Sequence, residues 1–215
     1  MGTGTNSGNK TFLSIGFGKI RQKYLDNKEK VSSVTDNAVK RIINDKESWA
    51  IEKDFVEGII ENIYLKEDKE YGNSFEVSIA DGITKYQLSV KENSRYWVDF
   101  AKKLPNINFS ETVKLTTYDF EDSNNKRKVG ISVMQGNKKI LSYYTDKKDD
   151  KVFSINGFPS GKDVNFKDKD DLQIYLIDVK KFLRKEFKNK IEPLFSNETL
   201  PENKDNTEEK DDLPF

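Results

Sequence analysis

The chain has 215 residues, 34% of them hydrophobic and 34% charged, with a formal net charge of zero; the length suits one domain with a modest core and some chain left unpacked. It contains neither cysteine nor histidine, which excludes disulfides, thiolate or imidazole metal sites and any nucleophile–histidine arrangement. No apolar run reaches membrane-span length, no signal-peptide apolar region opens the chain, and Asn6 breaks the myristoylation pattern after Met-Gly, so a cytoplasmic compartment is expected.

The zero charge hides a split. Residues 198–215 carry seven acids and two lysines, a net −5, which leaves +5 on residues 1–197. A basic body with an acidic tail points to an anionic partner that the tail can mimic or screen.

Residues 1–10, rich in glycine and small polar residues, read as a flexible arm. Phe12 to Tyr24 reads as a strand or hairpin bent by Gly16 and Gly18, with Lys19, Arg21 and Lys23 alternating along its later part. Val39, Ile42 and Ile43 behind Asp36 predict a short helix over Asp36–Glu47. Gly58–Lys66 predicts a long strand, followed by a charged loop, Glu67–Asn73. Phe75, Val77 and Ile79 alternate with polar residues, Asp81-Gly82 is a hairpin signal, and Tyr86, Leu88 and Val90 alternate again. Behind a Ser94 cap, Trp97, Phe100, Ala101 and Leu104 predict a helix running to Pro105. Val113 to Phe120 is a further strand; the polar, basic loop Asp122–Arg127 leads to Val129, Ile131 and Val133, also alternating.

Three strands, a helix and two strands is the order of a five-stranded OB barrel. The fold class expected is therefore mainly β: an OB-fold barrel with an additional hairpin, α-helices and a disordered acidic tail. The additional hairpin is expected from Lys139–Tyr144 and Val152–Phe158. An amphipathic helix is expected over Asp170–Lys190, with Leu172, Leu176, Val179 and Leu183 on one side and Pro193 marking its end. From residue 196 the chain is too polar to offset the entropy of ordering. The organisation expected is an arm over 1–10, the OB-fold domain with its extensions over 11–195, and an acidic tail over 196–215.

No residue pattern supports catalysis. Gly157–Asp163 is one residue short of a phosphate loop and lacks its magnesium-binding hydroxyl, and Gly16–Lys19 fails in the same way. No metal or cofactor is expected. Strand parity points instead to nucleic acid. If the alternating aliphatic residues face the core, Tyr64, Lys66, Lys85, Gln87, Lys114, Thr116, Tyr118 and Lys128 face out. Loops add Lys69 and Tyr71 on one side and Lys126 and Arg127 on the other. Rings interleaved with cations suit single strands: bases stack at about 1–3 kcal/mol each and cations neutralise phosphates. Each lysine alone reads as a solvated residue, and Tyr64 and Tyr118 fit equally well under the C-terminal helix. Phe75, Tyr86 and Trp97 read as packing residues.

The chain ends Asp211-Asp212-Leu213-Pro214-Phe215. An acidic solubilising segment would not need the apolar trio. This tip resembles the acidic C-terminal tip of bacterial and bacteriophage single-stranded DNA-binding proteins, and the flanking elements resemble phage members more than the compact bacterial tetramers. Some phage relatives carry a zinc site, which this chain lacks the cysteine and histidine to build. The resemblance implies that Phe215 and its carboxylate enter a pocket on replication or repair partners of polymerase, helicase or primase type. Asp211 and Asp212 would contact basic residues beside that pocket, and the tail would compete with DNA for the basic groove. It implies a role in replication, recombination and repair, in the host cytoplasm for a phage-encoded chain. A strand-annealing protein, an RNA-binding chaperone and a non-nucleic-acid adaptor docking through the tail are the alternatives. The oligomeric state stays open.

Overall fold

A computed structural model describes residues 10–23, 38–43, 46–123, 125–148 and 151–196. The first nine residues and the tail from 197 onward, including Asp211, Asp212, Leu213, Pro214 and Phe215, lie outside the described residues, as does Asp36. The protein is mainly β. One large sheet is built from β1 (Lys10–Gly16), β2 (Lys19–Lys23), β3 (Ala38–Ile43), β4 (Lys46–Lys53), β5 (Phe55–Lys66), β6 (Ser74–Asp81), β7 (Thr84–Lys91), β8 (Val113–Glu121), β9 (Arg127–Gln135) and β10 (Lys138–Lys139). Its order is β10-β9-β8-β5-β6-β7-β1-β2-β4-β3. All the pairings are antiparallel except β1 on β7, which is parallel. A separate hairpin pairs β11 (Thr145–Lys148) with β12 (Lys151–Ser154).

Two expectations fail here. The first is the helix over Asp36–Glu47: the described part is β3 running into β4. Val39, Ile42 and Ile43 fit a helical spacing over one turn, and cross-strand pairing of β3 with β4 overrides that short signal. The second is the closed five-stranded barrel. Strands β5 to β9 stand in the order β9-β8-β5-β6-β7, but β9 and β7 do not pair. Each edge is occupied by something else. On β7 the edge is taken by β1. On β9 it is taken by side chains of helix α1 (Arg95–Ala101) and of the turn that follows it. Asp99 Oδ2 accepts from the Ile131 backbone N–H at 2.9 Å, and Lys103 Nζ donates to the Ile131 carbonyl at 2.6 Å. Further along, Ile140 N–H bonds to Val133 O and β10 pairs with Gln135 and Met134. A strand cannot add where both backbone groups are already engaged.

The β1–β2 turn packs across to β8 and α1. Gly18 accepts at its carbonyl from Thr117 Oγ1 (2.8 Å) and donates its N–H to Tyr96 Oη (3.2 Å). Ile20 of β2 is fully buried in the common core. β5 bends sharply to serve both β6 and β8. It pairs with β8 over Phe55–Gly58 and with β6 over Ile59–Lys66, with a bulge between Ile60 and Asn62. At Gly58, φ is +154° and a Cβ would lie 2.3 Å from the Ala80 carbonyl oxygen, so only glycine fits this crossing.

The expected pattern inside the core holds. Phe75, Val77, Ile79, Leu88 and Val90 are buried, and Ser94 Oγ caps α1 by accepting from Trp97 N–H. Phe75 and Trp97 stack with centroids 3.4 Å apart. Phe187 meets both edge-on at 4.9 and 5.9 Å. Phe187 comes from the C-terminal helical segment: α2 (Lys169–Glu186), a π-helical turn (Phe187–Ile191) and α3 (Glu192–Phe195). Asp168 caps α2, with Asp170 and Asp171 in its first turn and Arg184 and Lys185 in its last, as the helix dipole favours. The buried stripe is Val179, Leu183, Phe187 and Ile191. It therefore starts later than the sequence spacing predicts: Leu176 is exposed, while its neighbour Tyr175 packs against the core. Pro193 opens α3 rather than ending the segment. The hairpin is also displaced from the one expected: its first strand is Thr145–Lys148 and not Lys139–Tyr144, of which Leu141–Tyr144 form no strand, and its second ends at Ser154.

Candidate nucleic-acid interface

On β5, β6, β7, β1 and β2 the buried aliphatic residues fix the inward parity, so the opposite residues share one outward face. Register places them in rungs. One runs Lys66–Ser74–Lys91, the next Tyr64–Glu76–Ser89–Ser14–Arg21–Glu52, the third Asn62–Ser78–Gln87–Phe12, and the last Ala80–Lys85–Lys10. On β6 and the middle of β7 this set is polar apart from Ala80, and Ser74, Glu76 and Gln87 are buried, Gln87 against the exposure expected of it, while rings and lysines stand on β5 and β1. This distribution makes a trough along the strands, walled by Tyr64 and Lys66 on one side and Lys10 and Phe12 on the other.

The floor of the trough is internally satisfied. Glu76 is buried, and its carboxylate accepts from Ser74 Oγ (2.9 Å), Ser89 Oγ (2.7 Å) and Gln87 Nε2 (3.3 Å). Ser78 Oγ donates to Gln87 Oε1 at 2.9 Å. A ligand would therefore meet the walls, where Phe12 is 68% and Tyr64 40% exposed. The loop between β5 and β6 stands at one end and is well held. Asp68 Oδ1 accepts from the Glu70 and Tyr71 N–H groups, and these bonds hold its carboxyl below the usual range. Lys91 Nζ donates to Tyr71 O, Asn73 bonds to Glu92, and Arg184 of α2 pairs with Glu67. This scaffold presents a Tyr71 ring that is 70% exposed.

The ten body residues singled out from the sequence fall into two groups. Tyr64, Lys66, Lys69, Tyr71 and Lys85 belong to the trough and its end loop. Lys114, Tyr118, Lys126, Arg127 and Lys128 lie on β8, β9 and their connection, beyond the bend in β5. Lys85 is ion-paired with Glu61 at 3.0 Å. Lys114 Nζ sits 3.7 Å from the centroid of the Phe55 ring. Arg127 forks onto Asp119 with two 2.7 Å bonds, which pull the Asp119 carboxyl down and raise the guanidinium. Lys128 lies 3.5 Å from Asp122. Lys69 and Lys126 have no ion-pair partner among the described residues.

Tyr118 has a packing role. It crosses Gly130 and its hydroxyl donates to Asp99 Oδ2 at 3.0 Å; burial, then the Asp99 charge, raises its pKa strongly. A Cβ at Gly130 would come within 2.3 Å of that hydroxyl.

The sequence reading missed Lys10, Phe12 and Lys91 on the trough, Phe55 and Phe120 near β8, and a cluster of Phe17, Arg21 and Arg41. For Phe12 a signal existed: Leu13 and Ile15 set the inward parity of β1, which leaves Phe12 outside. The parallel pairing of β1 with β7 had no local signal.

Among the described residues no helix is long and apolar enough to cross a membrane, and no cluster of carboxylates is placed to hold a metal ion. No known family model matches the chain, and searches of curated proteins and of solved structures find no significant similarity.

Proposed function

We propose that this chain is a non-enzymatic single-stranded DNA-binding protein of bacteriophage type, with an OB-like body whose ring is opened between β7 and β9. The observation that carries the reading is the trough: exposed rings at Tyr64 and Phe12 stand with Lys10, Lys66, Lys85 and Lys91 on one sheet face, and the loop at its end adds Lys69 and the exposed Tyr71. Rings take bases of any sequence and lysines take phosphates, so binding is weakly sequence-dependent and salt-sensitive, with a log–log slope near −0.7 per phosphate contact. Two further features support it. The order β9-β8-β5-β6-β7, with α1 between β7 and β8, is that of an OB barrel with one seam unpaired. The acidic run ending in Leu213-Pro214-Phe215 suits a tail that competes with DNA and docks replication or repair partners.

The test is a gel-shift titration of the full chain and of a 1–197 truncation on single-stranded and duplex DNA. Preferential single-strand binding, tighter in the truncation, is the expected result. No binding by either form, or duplex binding as tight as single-strand binding, overturns the reading.

A further inference from the structure

At the far end of the rung that begins with Tyr64 lies Arg21. It is 7% exposed although it is on the outward parity of β2. It packs alongside Gly16, where a Cβ would lie in ordinary contact with Arg21 Cδ at 3.4 Å. Its Nε and Nη2 are buried and have no hydrogen-bond acceptor among the described residues. The nearest carboxylate, Glu52, is 3.4 Å from Nε but is committed to Arg41, which grips it with bonds of 2.6 and 2.8 Å. Two guanidinium groups thus share one carboxylate, and one positive charge is left uncompensated. Buried cationic donors normally find acceptors. Both atoms are closed off from solvent, so the surplus acts outside the cluster as charge and not as a free donor.

Phe17 completes the cluster. Its ring is 52% exposed, with the guanidinium carbons of Arg41 and Arg21 at 4.6 and 5.4 Å from its centroid. Its backbone φ is +56°, a turn conformation that glycine or asparagine adopts at less cost than phenylalanine. An aromatic side chain kept there against backbone preference, in solvent and over cations, fits a stacking role.

We infer that Phe17, Arg21 and Arg41 form a nucleotide subsite. The base stacks on Phe17, and the phosphodiester, a single negative charge, lies against the Arg21–Arg41 pair and balances the charge that Glu52 leaves over. This rests on the single-strand-binding reading and extends the strand's path across the sheet. Arg21 stands four strand spacings from Tyr64, about 19 Å, so short oligonucleotides held at the trough do not reach it and longer ones do.

The test measures affinities of the full chain for oligothymidylates of increasing length, with Phe17→Asn and Arg21→Met beside the wild type and thermal melting as the folding control. Asparagine suits the backbone at position 17, so Phe17→Asn melts at or above the wild-type temperature. Both variants are expected to match the wild type on the shortest oligonucleotides and to lose roughly tenfold on the long ones. Arg21→Met also flattens the salt dependence by about 0.7 in slope, whereas Phe17→Asn leaves it unchanged. Wild-type affinity for long oligonucleotides in a folded Phe17→Asn variant overturns the subsite and leaves the trough standing. Failure of the wild type to bind any oligonucleotide overturns the reading beneath it.

Discussion

The β5–β9 body and the β1–β4 extension share one sheet but treat their buried polar groups differently. In the body, Asp99 Oδ2 accepts from Tyr118, Ile131 N–H and Lys103. Glu76 takes three side-chain donors, and Gln135 bonds through both ends of its amide to Asn108. In the extension, Arg21 and Trp49 hold the buried side-chain donors that lack an acceptor among the described residues. The body has folded its polar groups against one another. The extension leaves some of its own buried and unbonded, and the difference separates polar groups that hold the fold from groups that do not.

The largest effect is expected where the body is cut. Asp99→Ala strands the buried Lys103 ammonium, whose basicity burial already lowers, and orphans two further donors. It should cost about 3–5 kcal/mol, read as a fall in denaturation midpoint. Glu76→Ala removes the shared acceptor beneath the trough but leaves only hydroxyls and one amide to find other partners. About 1–3 kcal/mol is expected in the same assay. A loss as large as that for Asp99→Ala would mean that the trough floor, not the β9 edge, anchors the body.

The extension is sharpened by pH. The Glu52 carboxyl is held below its ordinary value, first by its hydrogen bonds to Arg41 and then by the nearby positive charges. Its contribution is therefore complete above the ordinary carboxylate range, near 4.3, and is lost as pH falls through the lowered value. Glu52→Gln should make the acid limb of stability shallower in denaturation series run from pH 7 to 3. A residual slope should persist, because Asp54, Asp68 and Asp119 are shifted the same way. An unchanged acid limb would show that Glu52 is not coupled to folding. The smallest effect belongs to Lys85→Ala. Its pair with Glu61 is exposed at both ends, so stability should move by about 0–1 kcal/mol, while the salt slope of single-strand binding drops by one phosphate contact.

Much of the body was legible in the sequence. Alternation over Phe75–Ile79 and Tyr86–Val90, the Asp81-Gly82 turn and the Ser94 cap are local signals, and each is realised where it was expected. Tyr64 and Lys66 were correctly turned outward because parity propagates along a strand once one face is buried. Tyr118 shares that parity but is drawn to Asp99, a residue of a helix that parity says nothing about.

The residues by themselves determined the strands of the body, the inward face, the absence of thiol and imidazole chemistry, and the acidic end. Tertiary structure decided how the strands close. The β7 edge accepted a parallel strand from the N-terminus, and Asp99 and Lys103 consumed the hydrogen bonds that the β9 edge would have offered it. Backbone edges carry no sequence identity, so which group reaches them first in space is settled only by the packed chain. The same packing carried Arg21, an ordinary strand arginine in the sequence, into a buried position with donors left unbonded among the described residues.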